Sequence, residues 1–332
     1  MTAKKRVALV TCREFPELDA YDAVLPPRLA SFGIEALPAV WDDPAVDWDR
    51  FDLAVVRSTW DYAARRDEFL AWARSVPRLA NPAPVLEWNT DKHYLKDLEL
   101  RGVPVVPTTW LEPARGLDAR GLHTRMPALG DFVLKPAVAA GSIGAGRYTA
   151  NDSQLRGRAI AYALRLMAAG ETVMLQRYLP AVDTVGEVSM VFLDGAYAYA
   201  VRKEAMLKGP EQGEDRLYQA ERLEGGYDPS PEERAVGAAA VTAALDAVAA
   251  LGTGPSAHER GSAGESARGG EAEPGANYVR PFLYARADLI RGADAAPVLL
   301  ALELTEPSLF PELAPGGIEQ VCRAIAGRLS PV

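Results

Sequence analysis

Residues 132–148 read FVLKPAVAAGSIGAGRY, and this stretch decides how the rest of the chain is interpreted. Residues 132–135 are apolar up to a closing lysine, which predicts a buried strand. The loop that follows holds Gly141, Gly144 and Gly146, and glycine allows backbone N–H groups to approach an anion closely. No Gly-Lys-Ser/Thr follows, so the loop is not a P-loop. On its own, the loop fits an ordinary turn equally well.

Two lysines stand at positions suited to phosphate. Lys135 ends the predicted strand, and Lys92 opens a helix predicted at 90–101. Ammonium groups neutralise phosphate as point charges, and a helix N-terminus also favours anions. Either lysine taken alone fits a solvated surface position. Together with the glycine loop, the two indicate a site for a nucleoside triphosphate.

The last two predicted strands each carry charged residues on one face. Arg286 and Asp288 share a face by the two-residue period of a strand, and Ala301 shares a face of the next strand with Glu303. If the strands are antiparallel neighbours, Asp288 and Glu303 meet around Mg²⁺, which usually needs only one or two protein carboxylates. A guanidinium such as that of Arg286 stabilises the charge that develops during phosphoryl transfer. Cross-strand salt bridges are the alternative.

The first third of the chain alternates strands, at 6–12, 34–40 and 52–56, with helices. This alternation predicts a parallel, Rossmann-like sheet covered by helices. No glycine-rich fingerprint follows the first strand, so we do not expect NAD to bind there in the usual way.

The segment RSTWDY, at 57–62, follows a strand at the edge where open α/β sheets bind ligands. Arg57, with Ser58 beside it, is predicted to bind a substrate carboxylate. Trp60 and Asp61 would shape or charge-match an amino-acid group. An internal Arg57–Asp61 ion pair and core packing of Trp60 are the alternatives.

The rest of the chain gives signals for helices, a hairpin and an insertion. A capping box at Ser230–Glu233 starts a helix that runs to Gly252, and Asp194-Gly195 predicts a hairpin turn. Residues 253–276 are rich in Gly, Ala, Ser and Glu with little to bury, which predicts a disordered insertion. Three domains are expected, at 1–80, 81–180 and 181–332.

Composition limits the classes of function that the chain can have. Its 332 residues, 48% of them hydrophobic and 24% charged, suffice for two or three soluble domains. A net charge of −9 without a run of Lys or Arg argues against nucleic-acid or anionic-membrane partners. No stretch approaches the roughly 18 apolar residues of a membrane span, so we expect a cytoplasmic protein. A homodimer is compatible with the sequence.

Cysteine and histidine contribute no recognisable site. The two cysteines make no disulfide framework and fit no metal-ligand spacing, and the three histidines fit no metal or triad pattern; these residues are Cys12, Cys322, His93, His123 and His258.

Taken in order, these segments resemble the ATP-grasp superfamily, and within it the glutathione-synthetase-like and RimK-like carboxylate–amine ligases. Besides the stretch quoted first, the resembling segments are NPAPVLEWNTDKHYLKDLELRGVPVVPT (81–108), VMLQRYLPAVDTVGEVSMVFLDGAYAYAVRK (173–203), YARADLI (284–290) and LLALELTEPSLF (299–310). They span nearly the whole chain after residue 80. The chain is most similar to a branch that closes the ring of D-cycloserine from O-ureido-D-serine.

The resemblance implies an α/β ATP-grasp fold, in which a Rossmann-like pre-ATP-grasp domain precedes two α+β subdomains that enclose ATP. It implies ATP and Mg²⁺ as cofactors and small-molecule carboxylate and amine substrates. The expected activity is an ATP-dependent carboxylate–amine ligase, which forms an amide-like bond through an acyl phosphate and releases ADP and phosphate. The attacking nitrogen lies either on a second molecule or on the same one, as in a cyclo-ligase.

The resemblance also implies a role for each matching position. It implies that Lys92, Lys135 and a mobile lid with Gly141, Ser142 and Gly144 contact the ATP phosphates. Adenine would be bound by Gln176, Arg177, Tyr178 and Leu179, and the ribose by Glu187. Arg202 and Arg286 would face the acyl phosphate, and Asp288 and Glu303 would bind Mg²⁺.

One position departs from the family pattern. Related sequences often carry a Glu-x-Glu or Glu-x-Asn pair that binds Mg²⁺, and here Ala301 stands at the first position of the pair, so only Glu303 remains. Altered metal dependence is therefore expected. A degenerate ATP-binding protein without ligase activity and a small-molecule kinase are the alternative functions.

Overall fold

A computed structural model describes residues 4–210, 222–252 and 282–329. Its first layer is a parallel sheet in the order β2-β1-β3-β4, formed by β1 (Lys5–Thr11), β2 (Ile34–Val40), β3 (Leu53–Ser58) and β4 (Leu79–Ala80). Helices α1 (Leu25–Ala30) and α2 (Arg66–Ser75) connect these strands. The strands are apolar on both faces and pack into two separate cores, as a parallel sheet covered on both sides requires. The Rossmann-like sheet predicted from the sequence is confirmed.

Two short helices join this sheet to the next, where one helix was expected at 90–101. Helix α3 (Ala83–Asn89) ends at Thr90, whose N–H bonds to Leu86, and α4 (Tyr94–Leu100) begins after a turn. Pro84 lies in the first turn of α3, where a proline is tolerated because the missing N–H would have no helical partner. Lys92 therefore lies in the turn before α4 and does not open a helix.

The second sheet is antiparallel and carries the glycine-rich loop. Its order is β5-β8-β6-β7, with β5 (Thr108–Leu111), β6 (Asp131–Pro136), β7 (Gly146–Thr149) and β8 (Val173–Arg177). Helices α5 (Ala119–Arg125) and α6 (Ser153–Ala168) pack on one face around Phe132 and Tyr148. The loop connects β6 to β7, so both of its ends are fixed by neighbouring strands.

The third sheet follows the short helix α7 (Val182–Val185). Its order is β11-β10-β9-β12-β13, with β9 (Glu187–Leu193), β10 (Ala196–Lys203), β11 (Leu223–Tyr227), β12 (Tyr284–Arg291) and β13 (Pro297–Glu303). Asp194 and Gly195 both have positive φ, at 48° and 78°, as the predicted two-residue hairpin turn requires. The last two strands are antiparallel neighbours, as expected.

Helices α8 (Pro231–Gly252) and α9 (Gly317–Gly327) cover opposite faces of the third sheet. The predicted capping box is present: the N–H of Ser230 donates to Glu233, and the N–H of Glu233 donates to the hydroxyl of Ser230. The insertion predicted at 253–276 lies outside the described residues. The division into three domains stays a prediction.

Helix α8 corrects one expectation from the sequence. Among the described residues it is the one helix that is long and apolar enough, by length and composition alone, to cross a membrane, with a mean hydropathy of 1.5 over an 18-residue window within Pro231–Leu251. Its Ala240, Val241 and Ala244 side chains belong to the core beside β12 and β13. Packing of this kind is typical of a core helix in a globular protein.

Candidate active site

A cavity of about 200 Å³ lies between the second and third sheets and reaches the end of β3. Its walls include most of the positions singled out in the sequence, namely Trp60, Lys92, Lys135, Gly141, Ser142, Gln176, Arg177, Tyr178, Leu179, Glu187, Arg286, Asp288 and Glu303. Segments that lie more than 200 residues apart in the sequence thus converge on one site.

Lys92 and Lys135 both line this cavity. The Lys92 ammonium donates to the carbonyl of Ala139 at 2.6 Å. Burial lowers the pKa of Lys92, although Glu303 and Glu306 oppose the shift. Burial and the charge of Lys92 lower the pKa of Lys135 to about 8. Two like charges held this close have no counter-anion in contact among the described residues, so a bound phosphate would relieve their repulsion.

The glycine-rich loop turns tightly beside the lysines. Gly141, Ser142 and Gly144 all have positive φ, at 56°, 61° and 72°. Gly144 accepts a hydrogen bond from the Tyr162 hydroxyl at 2.5 Å, and a Cβ added there would come within 2.8 Å of that hydroxyl. Gly144 therefore packs against Tyr162 and does not line the cavity, whereas Gly141 and Ser142 do.

Residues 176–179, at the end of β8 and just beyond it, form part of the cavity wall. The apolar residues Val106, Ile290 and Leu300 also line the cavity. The Gln176 amide donates to Thr108 at 2.8 Å, which fixes its orientation. Walls of this kind accept a heteroaromatic ring, with orientation set by a few polar groups.

A chain of buried ion pairs forms the floor. Arg286 donates twice to Asp288, at 2.9 and 2.8 Å, and Lys203 contacts both Asp288, at 3.3 Å, and Glu187. Burial raises the pKa of Asp288, but Arg286 and Lys203 outweigh burial and hold that pKa at about 2. Burial raises the pKa of Glu187 against the opposing charge of Lys203. These groups are held rigidly and are already paired.

Two further carboxyl groups face the cavity without such partners. Glu303 and Glu306 line it, and no Lys, Arg or His nitrogen of the described residues lies within 4.0 Å of either carboxylate. Burial and the charge of Glu303 raise the pKa of Glu306 to about 8. The cavity therefore combines a cationic side, at Lys92 and Lys135, with an anionic side that lacks a counter-ion.

Arg202 corrects a predicted role, because it does not line the cavity and its neighbour Lys203 does. The regular hairpin would place Arg202 opposite Glu187, but a register shift at Tyr197/Tyr199 places Lys203 there instead. A shift of one residue turns every later side chain to the opposite face. Arg202 instead lies over the ring of Tyr227 at 4.5 Å and near Glu224 at 3.7 Å.

Three of the four predicted substrate residues also lie outside the cavity. Arg57 is 1% exposed and donates to Asp22 at 3.0 Å and to the carbonyl of Pro307 at 2.6 Å. Ser58 is buried beside the same aspartate. Asp61 accepts from the Trp41 indole and lies 3.7 Å from Arg65. Apart from Arg57 Nη1, which is buried without a hydrogen-bond partner, their polar groups are paired at the edge of the first sheet, and Trp60 is the one of the four that lines the cavity.

Lys203 and Glu306 are the residues that sequence reasoning missed. The role of Arg202 came from the resemblance, and the bulge that brings Lys203 to the cavity in its place left no signal in the sequence. Glu306 comes three residues after Glu303, beyond the end of β13, where strand periodicity no longer indicates the direction of a side chain. The available signal was its position immediately before Pro307, in a short acidic segment that apolar residues flank.

The cavity's carboxylates fit a magnesium ion only in part. Among the described residues, no three His, Cys, Asp or Glu side chains form a group that could hold a metal on its own. The register pairs Asp288 with Ala301 and Arg286 with Glu303, so Asp288 and Glu303 are diagonal neighbours rather than directly opposite. Because Mg²⁺ takes most of its ligands from phosphates and water, the unpaired carboxylate of Glu303 still suits it.

Comparison with known proteins supports this geometry. Residues 7–81 match the family described as D-cycloserine synthetase DcsG, N-terminal domain. The chain is 36% identical over 337 residues to the cycloserine biosynthesis protein DcsG of Streptomyces lavendulae, covering 98% of this chain and 99% of the relative. The crystal structure of D-cycloserine synthetase DcsG is 33% identical, with a TM-score of 0.79 over 98% of this chain and all of that one.

More distant solved structures share the fold alone. A RimK domain ATP-grasp protein from Sphaerobacter thermophilus is 16% identical, with a TM-score of 0.60 over 98% of this chain and 99% of that one. The ATP-grasp ligase PsnB, solved with a minimal precursor, Mg and ADP, is also 16% identical, with a TM-score of 0.55 over 99% of both chains.

The three-sheet fold and the two-lysine cavity define an ATP-grasp ligase. The resemblance inferred from the sequence is thereby confirmed, including its carboxylate–amine ligase branch. Within that class, the chain belongs to the DcsG family.

Proposed function

We propose that this ligase activates the carboxylate of a small amino-acid-like substrate with ATP and closes it onto a nitrogen of the same molecule. The observation that carries this proposal is the convergence of Lys92 and Lys135 on one cavity with Glu303 and Arg286. The relatives' names, which refer to D-cycloserine, support a cyclo-ligase. We propose O-ureido-D-serine as the substrate and the cytoplasm as the location.

The nucleotide is proposed to lie along the length of the cavity. The adenine ring would lie against residues 176–179, and the phosphates would reach Lys92, Lys135 and the backbone of Gly141 and Ser142. Glu187 would bind the ribose hydroxyls; its pairing with Lys203 fixes it in place for that contact.

A magnesium ion would be held first by Glu303, and it would supply positive charge that neutralises the phosphates. Asp288 stays a predicted ligand. Arg286 and Lys203 already contact its oxygens, so its charge is largely compensated before any metal binds. This difference gives a physical reason to expect the altered metal dependence that Ala301 suggested.

The reaction proceeds in two steps. A substrate carboxylate oxygen attacks the γ-phosphorus, the bond to ADP breaks, and an acyl phosphate forms. The nitrogen then attacks the carbonyl carbon and loses its proton, and phosphate leaves with the electrons of the carbon–oxygen bond. Arg286, fixed on Asp288 and on the carbonyl of Ser308 at 3.0 Å, is placed to stabilise the negative charge that develops in both steps. The enclosed site keeps water from the acyl phosphate.

The alternatives weighed from the sequence, a degenerate ATP-binding protein and a small-molecule kinase, are not favoured, because similarity to a synthetase extends over the whole chain. The direct test is ADP release from ATP across a panel of amino acids that includes O-ureido-D-serine, D-serine and D-alanine, with products identified by mass. A cyclised product with stoichiometric ADP is expected. ATP binding without ADP release, or a stable phosphoester, would contradict the proposal.

A further inference from the structure

The segment that follows β13 is fixed along its backbone by side chains from distant parts of the chain. The N–H of Leu304 donates to Asn89 at 2.7 Å. Four carbonyls accept hydrogen bonds: Leu304 from Asn81 at 2.8 Å, Thr305 from Tyr284 at 2.9 Å, Pro307 from Arg57 at 2.6 Å and Ser308 from Arg286 at 3.0 Å. Because the backbone is hydrogen-bonded on both sides of Glu306, that residue is held in a single position.

Glu306 is buried, and one of its two carboxyl oxygens lacks a partner. Its side chain lines the cavity while the residue is only 3% exposed. The Tyr62 hydroxyl interacts with the carboxyl group, but the Oε2 atom makes no hydrogen bond with any of the described residues. A buried carboxyl oxygen without a partner is costly, and such an atom calls for an explanation in terms of a ligand or a function. The cost is tolerated here because the surrounding hydrogen bonds leave Glu306 no alternative position.

No Lys, Arg or His nitrogen of the described residues lies within 4.0 Å of the Glu306 carboxyl group. Lys203 and Arg286 contact Glu187 and Asp288, and Lys92 donates to the carbonyl of Ala139. In the proposed ATP complex, Lys92 and Lys135 face the phosphates. The pKa of Glu306 is raised to about 8, so a cation bound beside it would favour the carboxylate form, and besides Mg²⁺ the substrate is the source that remains.

The surroundings of Glu306 suit an organic cation better than a metal ion. The buried Tyr62 hydroxyl lies beside it, and Trp60 from the same turn lines the cavity. An aromatic face attracts an ammonium group, whereas Mg²⁺ demands near-octahedral oxygen ligands and several waters. These two aromatic residues lie in the turn that follows β3 of the first sheet.

We propose that Glu306, together with Trp60 in the lining of the same cavity, binds the cationic amino group of the substrate and thereby orients the carboxylate toward the transferred phosphoryl group. This inference rests on the proposed function, because it presupposes an amino-acid-like substrate. It gives the substrate a polar contact within the cavity, which the predicted substrate residues Arg57, Ser58 and Asp61 do not line.

The test compares two ligands in two proteins by calorimetry, in the presence of Mg²⁺ and a non-hydrolysable ATP analogue. The ligands are O-ureido-D-serine and the analogue in which hydrogen replaces its α-amino group. Glu306→Gln keeps the shape and removes the charge, and it should weaken O-ureido-D-serine binding by roughly 10- to 100-fold while leaving the analogue unchanged. Affinity for the ATP analogue and the Mg²⁺ requirement should stay within about twofold of wild type. Glu312→Gln, on a neighbouring segment outside the cavity, is the matched control.

Each other result overturns the inference in a recognisable way. Equal weakening of both ligands would indicate a structural role for Glu306, and a raised Mg²⁺ requirement would make it a metal ligand. If wild type binds O-ureido-D-serine and Glu306→Gln binds it equally well, the inference fails while the proposed function stands. If wild type binds neither compound, both fail together.

Discussion

Arg57 and Arg286 occupy nearly equivalent environments and have different consequences for function. Each is almost fully buried, at 1% and 7% exposure, and each pairs with an aspartate, Asp22 or Asp288. Each also donates to a carbonyl of the same segment, at Pro307 or Ser308. Arg286 lines the cavity and Arg57 does not.

The comparison shows that burial and ion pairing do not by themselves distinguish a functional arginine from a structural one. Both arginines satisfy a buried carboxylate, and both position the segment around Glu306. Access to the ligand is the distinguishing property. Arg57 therefore contributes to the fold and to the placement of that segment, whereas Arg286 is also positioned to meet the reacting groups.

The largest effect expected is on stability. Arg57→Met removes the partner of Asp22 and leaves a buried charge uncompensated, which should lower the free energy of unfolding by about 3–5 kcal/mol. Urea unfolding followed by circular dichroism measures the change. The exposed Arg74–Glu87 pair offers a control, since Arg74→Met should cost less than about 1 kcal/mol. Adding Asp22→Asn should recover part of the loss at Arg57; no recovery would mean that the ion pair is not the cause.

The next effect is on catalysis. Arg286→Ala should reduce ADP release by roughly 10²- to 10³-fold, because the charge that develops on the transferred phosphoryl group loses its fixed cation. Steady-state kinetics with saturating ATP measures the loss. Arg291→Ala, on the same strand but paired with Glu233 outside the cavity, should retain turnover within about twofold. Near-normal turnover in Arg286→Ala would exclude that residue from the mechanism and indicate a structural role like that of Arg57.

A smaller effect is expected on the pH dependence of ATP affinity, through Lys135. Burial and Lys92 lower the pKa of Lys135 to about 8, and bound phosphates would raise that pKa by favouring the ammonium form. Below pH 8 the lysine is charged with or without ATP, so affinity should be flat. Above pH 8, binding must take up a proton, and affinity should fall by up to about tenfold per pH unit. Calorimetry across pH 7–10 measures this.

Lys135→Arg provides the control for the pH effect, because a guanidinium stays charged throughout this range. The decline in ATP affinity should become shallower in that variant. An equally steep decline would assign the titration to another group, with Lys92 as the first candidate because burial lowers its pKa as well.

The sequence predicted the fold and the nucleotide side of the cavity because those features follow local rules. Strand periodicity placed Lys135, Asp288 and Glu303 correctly on surfaces that face the cavity, and the turn residues Asp194 and Gly195 gave the hairpin. The substrate side was less predictable. Arg57 follows a strand as a ligand-binding residue would, but its partners, Asp22 and Pro307, come from distant segments that sequence patterns do not bring together.

Arg202 shows a different limit, because a single irregularity in the strand brings Lys203 to the cavity in its place. The hairpin turn fixes the pairing of Leu193 with Ala196, and an uninterrupted ladder would carry Arg202 to Glu187. The register shift at Tyr197/Tyr199 adds one residue to β10, and such bulges leave no sequence signal as clear as that of a turn. The correctly predicted hairpin turn thus does not determine which side chain of β10 faces the cavity.

The smallest effect expected comes from this third arginine, and it separates the two accounts of β10. Arg202 is half-buried over Tyr227 and contacts Glu224 loosely, so Arg202→Ala should change ADP release by less than about twofold and stability by about 1 kcal/mol or less. Lys203→Met, one residue along, should reduce turnover far more, because it removes the cation between Glu187 and Asp288 and leaves two buried carboxylates exposed to each other's charge. Kinetics on the two variants, with thermal melting to confirm folding, decides the matter: a large loss in Arg202→Ala with a small one in Lys203→Met would support the role at the acyl phosphate that the resemblance implied for Arg202.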